Sequence, residues 1–287
     1  MKRDSSFFPE KLRYINDCPE QIYICGNIDL LKRDCIGIVG ARRCTNYGEA
    51  VTMDMAYKFA KAGIVTISGM AAGVDSLAHR GSIKGEGGTI AVLGCGLDVI
   101  YPKSNKGIYK DIVEKGGLLI SEQPLGMPPL KRHFPLRNRI ISGLSNTVIV
   151  VEAKEKSGSL ITADYAIEQG RDVYAVPGNI NSIISKGCNR LIHQGAGIFL
   201  SPEGFLCDKG YIEMEELYTN DLQKNKKNLA LMNNKVYSCL DLYPKTLDEI
   251  IRETKELPQV VLEEIISLQL QGAIKEVGKN RYVQSSF

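Results

Sequence analysis

Residues 35–42, CIGIVGAR, set the architecture of the chain. Cys35, Ile36, Gly37, Ile38 and Val39 follow one another without a polar interruption, after which Gly40 opens a turn that leads to Arg42 and Arg43. A strand with one face in water alternates apolar and polar residues, whereas a strand covered on both faces is apolar throughout. The same signature recurs as GIVTISGMA (63–71), GTIAVLGCG (88–96), GGLLISE (116–122), NTVIVVEA (146–153) and DVYAVPG (172–178). Between these runs lie amphipathic stretches, 47–62, 74–84, 107–115, 135–144 and 159–169, each long enough to serve as the crossover helix of a βαβ unit. The expected fold class is therefore α/β, a doubly wound and mostly parallel sheet. Its ligand crevice should lie outside the carboxyl ends of the strands, where almost every run ends in a Gly-, Ser- or Asn-containing turn.

Composition excludes more than it assigns. The chain has 287 residues, enough for one large domain and a smaller appendage, and its 44% hydrophobic and 24% charged residues are those of an ordered globular protein. A formal net charge of +3 says almost nothing about a polyanionic partner. The eight cysteines stand singly, with no CxxC pair and no Cys/His spacing suited to zinc, so neither a metal nor another cofactor is expected. MKRDSSFFPEKLRY lacks the apolar core of a signal peptide, and no run approaches the ~20 apolar residues of a membrane span. The expected location is the cytoplasm, with reduced thiols and no membrane contact.

Four turns carry possible chemistry. In GIVGARRCTNYG a strand gives way to a helix near Tyr47, so amides at that helix start could hold a phosphate with Arg42 or Arg43 beside them. A tight glycine turn with solvated arginines fits equally well. In SGMAAGVDSLAHRG, Ser68 and Gly69 end a strand, and Asp75 and His79 lie four apart on the next helix, where one face can pair them. No third group at a recognisable spacing completes a triad, so a capping or packing pair is expected rather than catalysis. PLKRHFPLRNRIISGLS gathers Lys131, Arg132, Arg137 and Arg139 around Phe134 and Asn138. Cations can engage phosphates while a ring stacks on an unpaired base, a combination suited to single strands. The bland reading of that segment is a basic helix start with Phe134 in the core. In VEAKEKSGSLITADYA, Gly158 and Ser159 belong to a Ser-Gly-Ser loop that enters a helix, a further nest for an anion. SKGCNRLIHQGA reads as a small helix closing the crevice, with no assignable chemistry.

With these pieces in order, the sequence resembles the DprA/Smf family of DNA-processing proteins from about Leu12 to Phe205. The motifs that carry the resemblance are GARRCTNYG, SGMAAGVDSLAH, GCGLDVIYP, SEQPLG, FPLRNRIISGLS, VVEAKEKSGSLITADYA, GRDVYAVPG and SKGCNRLIHQGA. It implies an extended Rossmann fold that binds single-stranded DNA without turning over a substrate, forms a homodimer and delivers the strand to the RecA recombinase during natural transformation and recombination. By position, Arg42 matches the family's DNA-contacting arginine, and Lys131 and Phe134 its phosphate-binding lysine and base-contacting aromatic. Arg137, Asn138 and Arg139 match an RNR element in which Arg139 could instead orient the loop through buried bonds. Ser68 with Gly69, and Gly158 with Ser159, fall in the matching SG turn and Ser-Gly-Ser loop. Many relatives carry a helical domain ahead of this unit. About 35 residues precede the first buried strand here, too few for a packed domain, so that domain and its function are expected to be absent.

The expected organisation is an N-terminal extension (1–34) packed on the core, a DNA-binding domain over 35–205 (12–205 with the extension), a polar linker over 206–234 containing the KNKK run at 224–227, and a winged-helix-like domain over 235–287. In this last part VYSCLDLYP, TLDEIIRET and LPQVVLEEIISLQLQGAIKEV have helical spacing, and GAIKEVGKNRYV reads as a hairpin turning at 278–280. Its acidic stretches favour protein contact over duplex DNA. The competing function is a nucleotide-processing, phosphoribohydrolase-like enzyme, but SGSLITADYA lacks the Gly-Gly-x-Gly-Thr and downstream Glu expected there. A dinucleotide oxidoreductase is rejected because GARRCTNYG misses two fingerprint glycines and no acidic residue closes the second strand.

Overall fold

A computed structural model describes residues 1–85, 87–213, 231 and 234–285. It divides into two units, Met1–Lys209 and Gly210–Phe287.

The first unit is built on an eight-stranded sheet in the order β1-β5-β4-β3-β2-β6-β7-β8. The strands are β1 (Tyr23–Gly26), β2 (Cys35–Val39), β3 (Val65–Ser68), β4 (Thr89–Leu93), β5 (Leu118–Ser121), β6 (Thr147–Val150), β7 (Asp172–Ala175) and β8 (Gly197–Ile198). Every pairing is parallel except that of β1 with β5. Helices α2 (Asn46–Lys61), α3 (Val74–Lys84), α4 (Lys106–Glu114), α5 (His133–Leu144) and α6 (Gly158–Glu168) make the crossovers, each within two residues of its expected bounds. The sheet is doubly wound because β4 is apolar on both sides. Ile90 and Val92 pack in the core that holds Ile140, Ile141 and Leu144 of α5, while Ala91 and Leu93 pack in the core that holds Ile108 and Ile112 of α4. Burying such side chains supplies roughly 1.5–3 kcal/mol each, which continuous apolar strands can collect on two faces.

Phe8, Ile15, Ile22 and Leu12 of the short helix α1 (Glu10–Arg13) join the α5 side of this core. The chain order runs from β2 outwards through β3 to one side and to β6 on the other, so the switch point lies between β2 and β6. Helices α7 (Lys186–His193) and α8 (Pro202–Asp208) complete the unit. Helix α8 carries regular structure three residues past 205, into the stretch expected as linker. Ser201 caps that helix by accepting from the Gly204 amide, and Phe205 packs against Phe59, Phe199 and Tyr174. The KNKK run lies outside the described residues.

In the second unit, α9 (Lys235–Cys239), α10 (Leu247–Thr254) and α11 (Pro258–Leu270) precede the hairpin of β10 (Ile274–Gly278) and β11 (Arg281–Gln284), and β11 also pairs with the two-residue β9 (Lys245–Thr246). Its own core includes Val236, Ile250, Val261, Ile265 and Ile274. A reciprocal cap between Thr246 and Glu249 starts α10, and Asn280, in the left-handed region at φ 55°, turns the hairpin. Among the described residues, no helix is long and apolar enough to cross a membrane.

Candidate nucleic-acid interface

The carboxyl ends of β2, β3, β4 and β6 surround a cavity of about 590 Å³ whose walls include Arg42, Asp75, Lys131, Phe134, Gly158 and Ser159. Five loops, those after β2, β3, β4, β5 and β6, and the starts of α3, α5 and α6 meet here, as the switch-point rule requires. The loops after β2 and β3 interlock. The Val74 amide donates to the Ala41 carbonyl (3.2 Å), and Gly73, at φ 77°, lets that contact form, because a Cβ there would fall 2.3 Å from the same oxygen. The lock carries Arg42 to the cavity rim, where its guanidinium lies 5.8 Å from the centre of the Phe134 ring. Phe134 is half-buried and also packs on Tyr101, with ring centres 5.5 Å apart and planes tilted by 40°. An aromatic surface thus stands beside a cation that makes no ion pair among the described residues. Lys131, just before α5, is exposed and lines the same cavity.

Helix α6 points its start at the same space. Ser157 caps it, its hydroxyl accepting from the Ser159 amide, and Ser157, Gly158, Ser159 and Thr162 line the wall. The positive end of the helix macrodipole suits a phosphate. The start of α2, left open by the sequence between a phosphate cradle and a tight glycine turn, is already taken. Glu152, buried at the end of β6, accepts from the Thr45 amide (2.9 Å) and hydroxyl (2.6 Å), so the protein supplies its own anion to that helix end.

The RNR element divides in three. Arg137 is buried and spans two strand ends, donating to the carbonyls of Gly69 and Val92 and, through Nε, to Asn138 Oδ1 at 3.2 Å. Gly69 carries no side chain because a Cβ would sit 2.5 Å from that guanidinium. Arg137 therefore lines the cavity with Nε and Nη1 committed to the scaffold. Asn138 passes the order on, its Nδ2 donating to the Gly158 carbonyl at 3.2 Å, which fixes the Ser-Gly-Ser loop. Arg139 does not reach the cavity. Its guanidinium forks onto Glu122 (2.7 and 3.0 Å) and donates to the Leu136 carbonyl, the orienting role left open by the sequence. Ser68 is likewise withdrawn, fully buried with its hydroxyl donating to the Ile38 carbonyl at 2.6 Å. Arg43 is exposed and forms no part of the lining.

Asp75 and His79 do not pair. Asp75 accepts from the Ala71 amide at 3.2 Å, bracing the loop before α3, while His79 Nδ1 meets the Thr89 hydroxyl at 2.8 Å under the sheet. Burial, and then the Arg137 charge, push His79 down to about 3, so the ring is neutral in the fold. Burial pushes the Asp75 carboxyl up, against the pull of Arg137, the Ala71 amide, Ser68 and Arg42. Asn189 has a structural role: it brackets Gly178 with bonds of 2.9 and 3.1 Å to its carbonyl and amide. Tyr101 and Asp75 are the wall residues that sequence reasoning did not place. The aromatic of the YP pair at the β4 turn was the available signal for the first.

The family profile of DNA recombination-mediator protein A matches residues 1–208. The DNA processing protein DprA of Streptococcus pneumoniae is 44% identical over 201 residues, 70% of this chain and 71% of that protein. Its X-ray structure superposes with a TM-score of 0.69 at 42% identity, covering 72% of each chain. Protein Smf of Escherichia coli is 43% identical over 203 residues, and the match covers 71% of this chain but 54% of that relative, so the chain spans about half its length. DNA processing protein A of Helicobacter pylori, a structure concerned with its unique single-stranded DNA binding mode, gives a TM-score of 0.65 at 33% identity over 69% of this chain and 90% of that one. A profile spanning most of the chain and relatives above 40% identity establish that this chain belongs to the DprA/Smf family.

Proposed function

We propose that the chain binds single-stranded DNA in the cavity at the strand ends and acts by holding the strand, not by converting it. One observation carries the reading: Arg42, Lys131, the Phe134 ring and the start of α6 face one space, so phosphates can meet cations and amides while an unpaired base meets a ring. In this reading Arg42, Lys131, Gly158 and Ser159 contact the backbone and Phe134 a base. Arg137, Asn138 and Gly69 hold those groups in place, and Arg139 and Ser68 brace the scaffold. The single-stranded DNA binding of the Helicobacter pylori relative supports the same assignment. From family membership we extend it to a homodimer that protects incoming strands and loads the RecA recombinase in natural transformation and recombination.

The test is an anisotropy titration of labelled single-stranded and duplex oligonucleotides, run beside a nucleotide-hydrolysis assay. The reading expects a clear single-strand preference and no turnover; duplex preference or steady hydrolysis overturns it. Sedimentation of the free protein, and RecA filament assembly with and without it, test the dimer and the loading step.

A further inference from the structure

The cavity contains one acid where a polyanion site should have none. Asp75 lines the wall with only 7% of its surface exposed, and no ion pair joins it to a cation among the described residues. The groups that face it come from four places: the Arg137 guanidinium from α5, Arg42 from the loop after β2, the Ser68 hydroxyl from the end of β3 and the Ala71 amide from its own loop. Arg137 commits Nε and Nη1 to Asn138 and to the Gly69 and Val92 carbonyls and makes no ion pair with the carboxyl among the described residues, so it tempers Asp75 through its field. His79, one turn along α3, is neutral and bonded to Thr89. A brace for the loop needs only an acceptor for the Ala71 amide, which an asparagine oxygen supplies as well as a carboxylate does. The bond to Ala71 therefore does not itself require a charge; the charge of Asp75 acts through its field, on the buried Arg137 guanidinium and on whatever anion enters the cavity.

Resting on the single-strand reading above, the geometry points to Asp75 as a specificity-determining residue, a carboxyl among phosphate-directed cations that weakens the hold on a polyanion whenever it carries its charge. Placing a phosphate near Arg42 and the start of α6 favours the protonated carboxyl, so the strand and a proton bind together. Burial already biases the group toward that form. The cavity then grips more firmly as the pH falls, apart from the general effect of salt.

The experiment is a titration of the full chain with oligothymidylate, whose bases do not protonate in the range used, from about pH 5.5 to about pH 8.5 at constant ionic strength, for the wild type and Asp75→Asn. Expected is a wild-type affinity that falls with rising pH by up to about tenfold per unit, and an Asp75→Asn affinity that is flatter and about tenfold tighter at the alkaline end. Any contribution to the profile from groups that the two proteins share subtracts out. Calorimetry of the unaltered protein in two buffers of different ionisation heat reads the proton directly and needs no variant; uptake of a fraction of one proton is expected. Parallel profiles for the two proteins, or binding without proton uptake across the range, overturn the assignment to Asp75 while leaving strand binding intact. No binding by the wild type at any pH overturns the single-strand reading itself.

Discussion

At the scale of single residues, the free cations and the buried ones separate by what their donors already do. Lys131 is exposed at the rim, so its replacement by alanine should lower the salt slope of single-strand binding by about 0.7 and leave stability unchanged, as read from affinities at several salt concentrations. Phe134→Ala should cost about 1–3 kcal/mol of binding, checked by anisotropy beside a melting curve that shows the protein still folded. Arg137→Ala is expected to act first on stability, by about 3–5 kcal/mol in urea denaturation, because it strands the Gly69 and Val92 carbonyls and leaves the buried Asp75 carboxyl without a compensating charge. His79 supplies the acid limit. Its folded value near 3 lies below the ordinary 6.5, so between these values the unfolded chain takes up a proton that the folded chain refuses. Its stabilising contribution is complete above about pH 6.5 and fades on acidification at up to about 1.4 kcal/mol per unit. The His79→Gln protein should lack that part of the slope in denaturation midpoints between neutral and mildly acidic pH.

At the scale of elements, the loops decide the site and the strands merely present them. Gly73→Ala would place a methyl against the Ala41 and Arg42 backbones on a left-handed residue, so it should lose at least about 2 kcal/mol of stability and, in the folded fraction, strand affinity as well. A thermal shift paired with anisotropy checks both. The six buried runs were legible in the sequence because continuous apolar stretches have few other uses, and their crossover helices followed from spacing. Strands β1 and β8 were not. Tyr23–Gly26 is an antiparallel edge with two exposed residues, and Gly197–Ile198 is too short to show a period. Helix α8 escaped because its apolar residues answer to Phe59 and Tyr174, distant in sequence. Within the site, the motif PLKRHFPLRNR announced cations but not their fates. Which of Arg137 and Arg139 turns inward depends on Gly69 and Glu122, and no periodicity in the helix encodes either partner.

At the scale of the molecule, the cavity draws every wall residue from Met1–Lys209, a unit with its own core. A fragment of residues 1–209 should therefore fold cooperatively and retain most of the single-strand affinity, as measured by circular dichroism and anisotropy; loss of either would make the second unit part of the binding apparatus. For that second unit the acidic residues of α10 and α11 lead us to propose a protein partner rather than duplex DNA, since neither of these two helices carries a dense run of basic residues. The Glu152 carboxylate seated on Thr45 has a consequence for life among abundant metabolites. Free dinucleotides and nucleoside triphosphates find the customary berth of this architecture filled from within, so a crowded pool of such compounds should not displace a long polymer that is gripped one helix away.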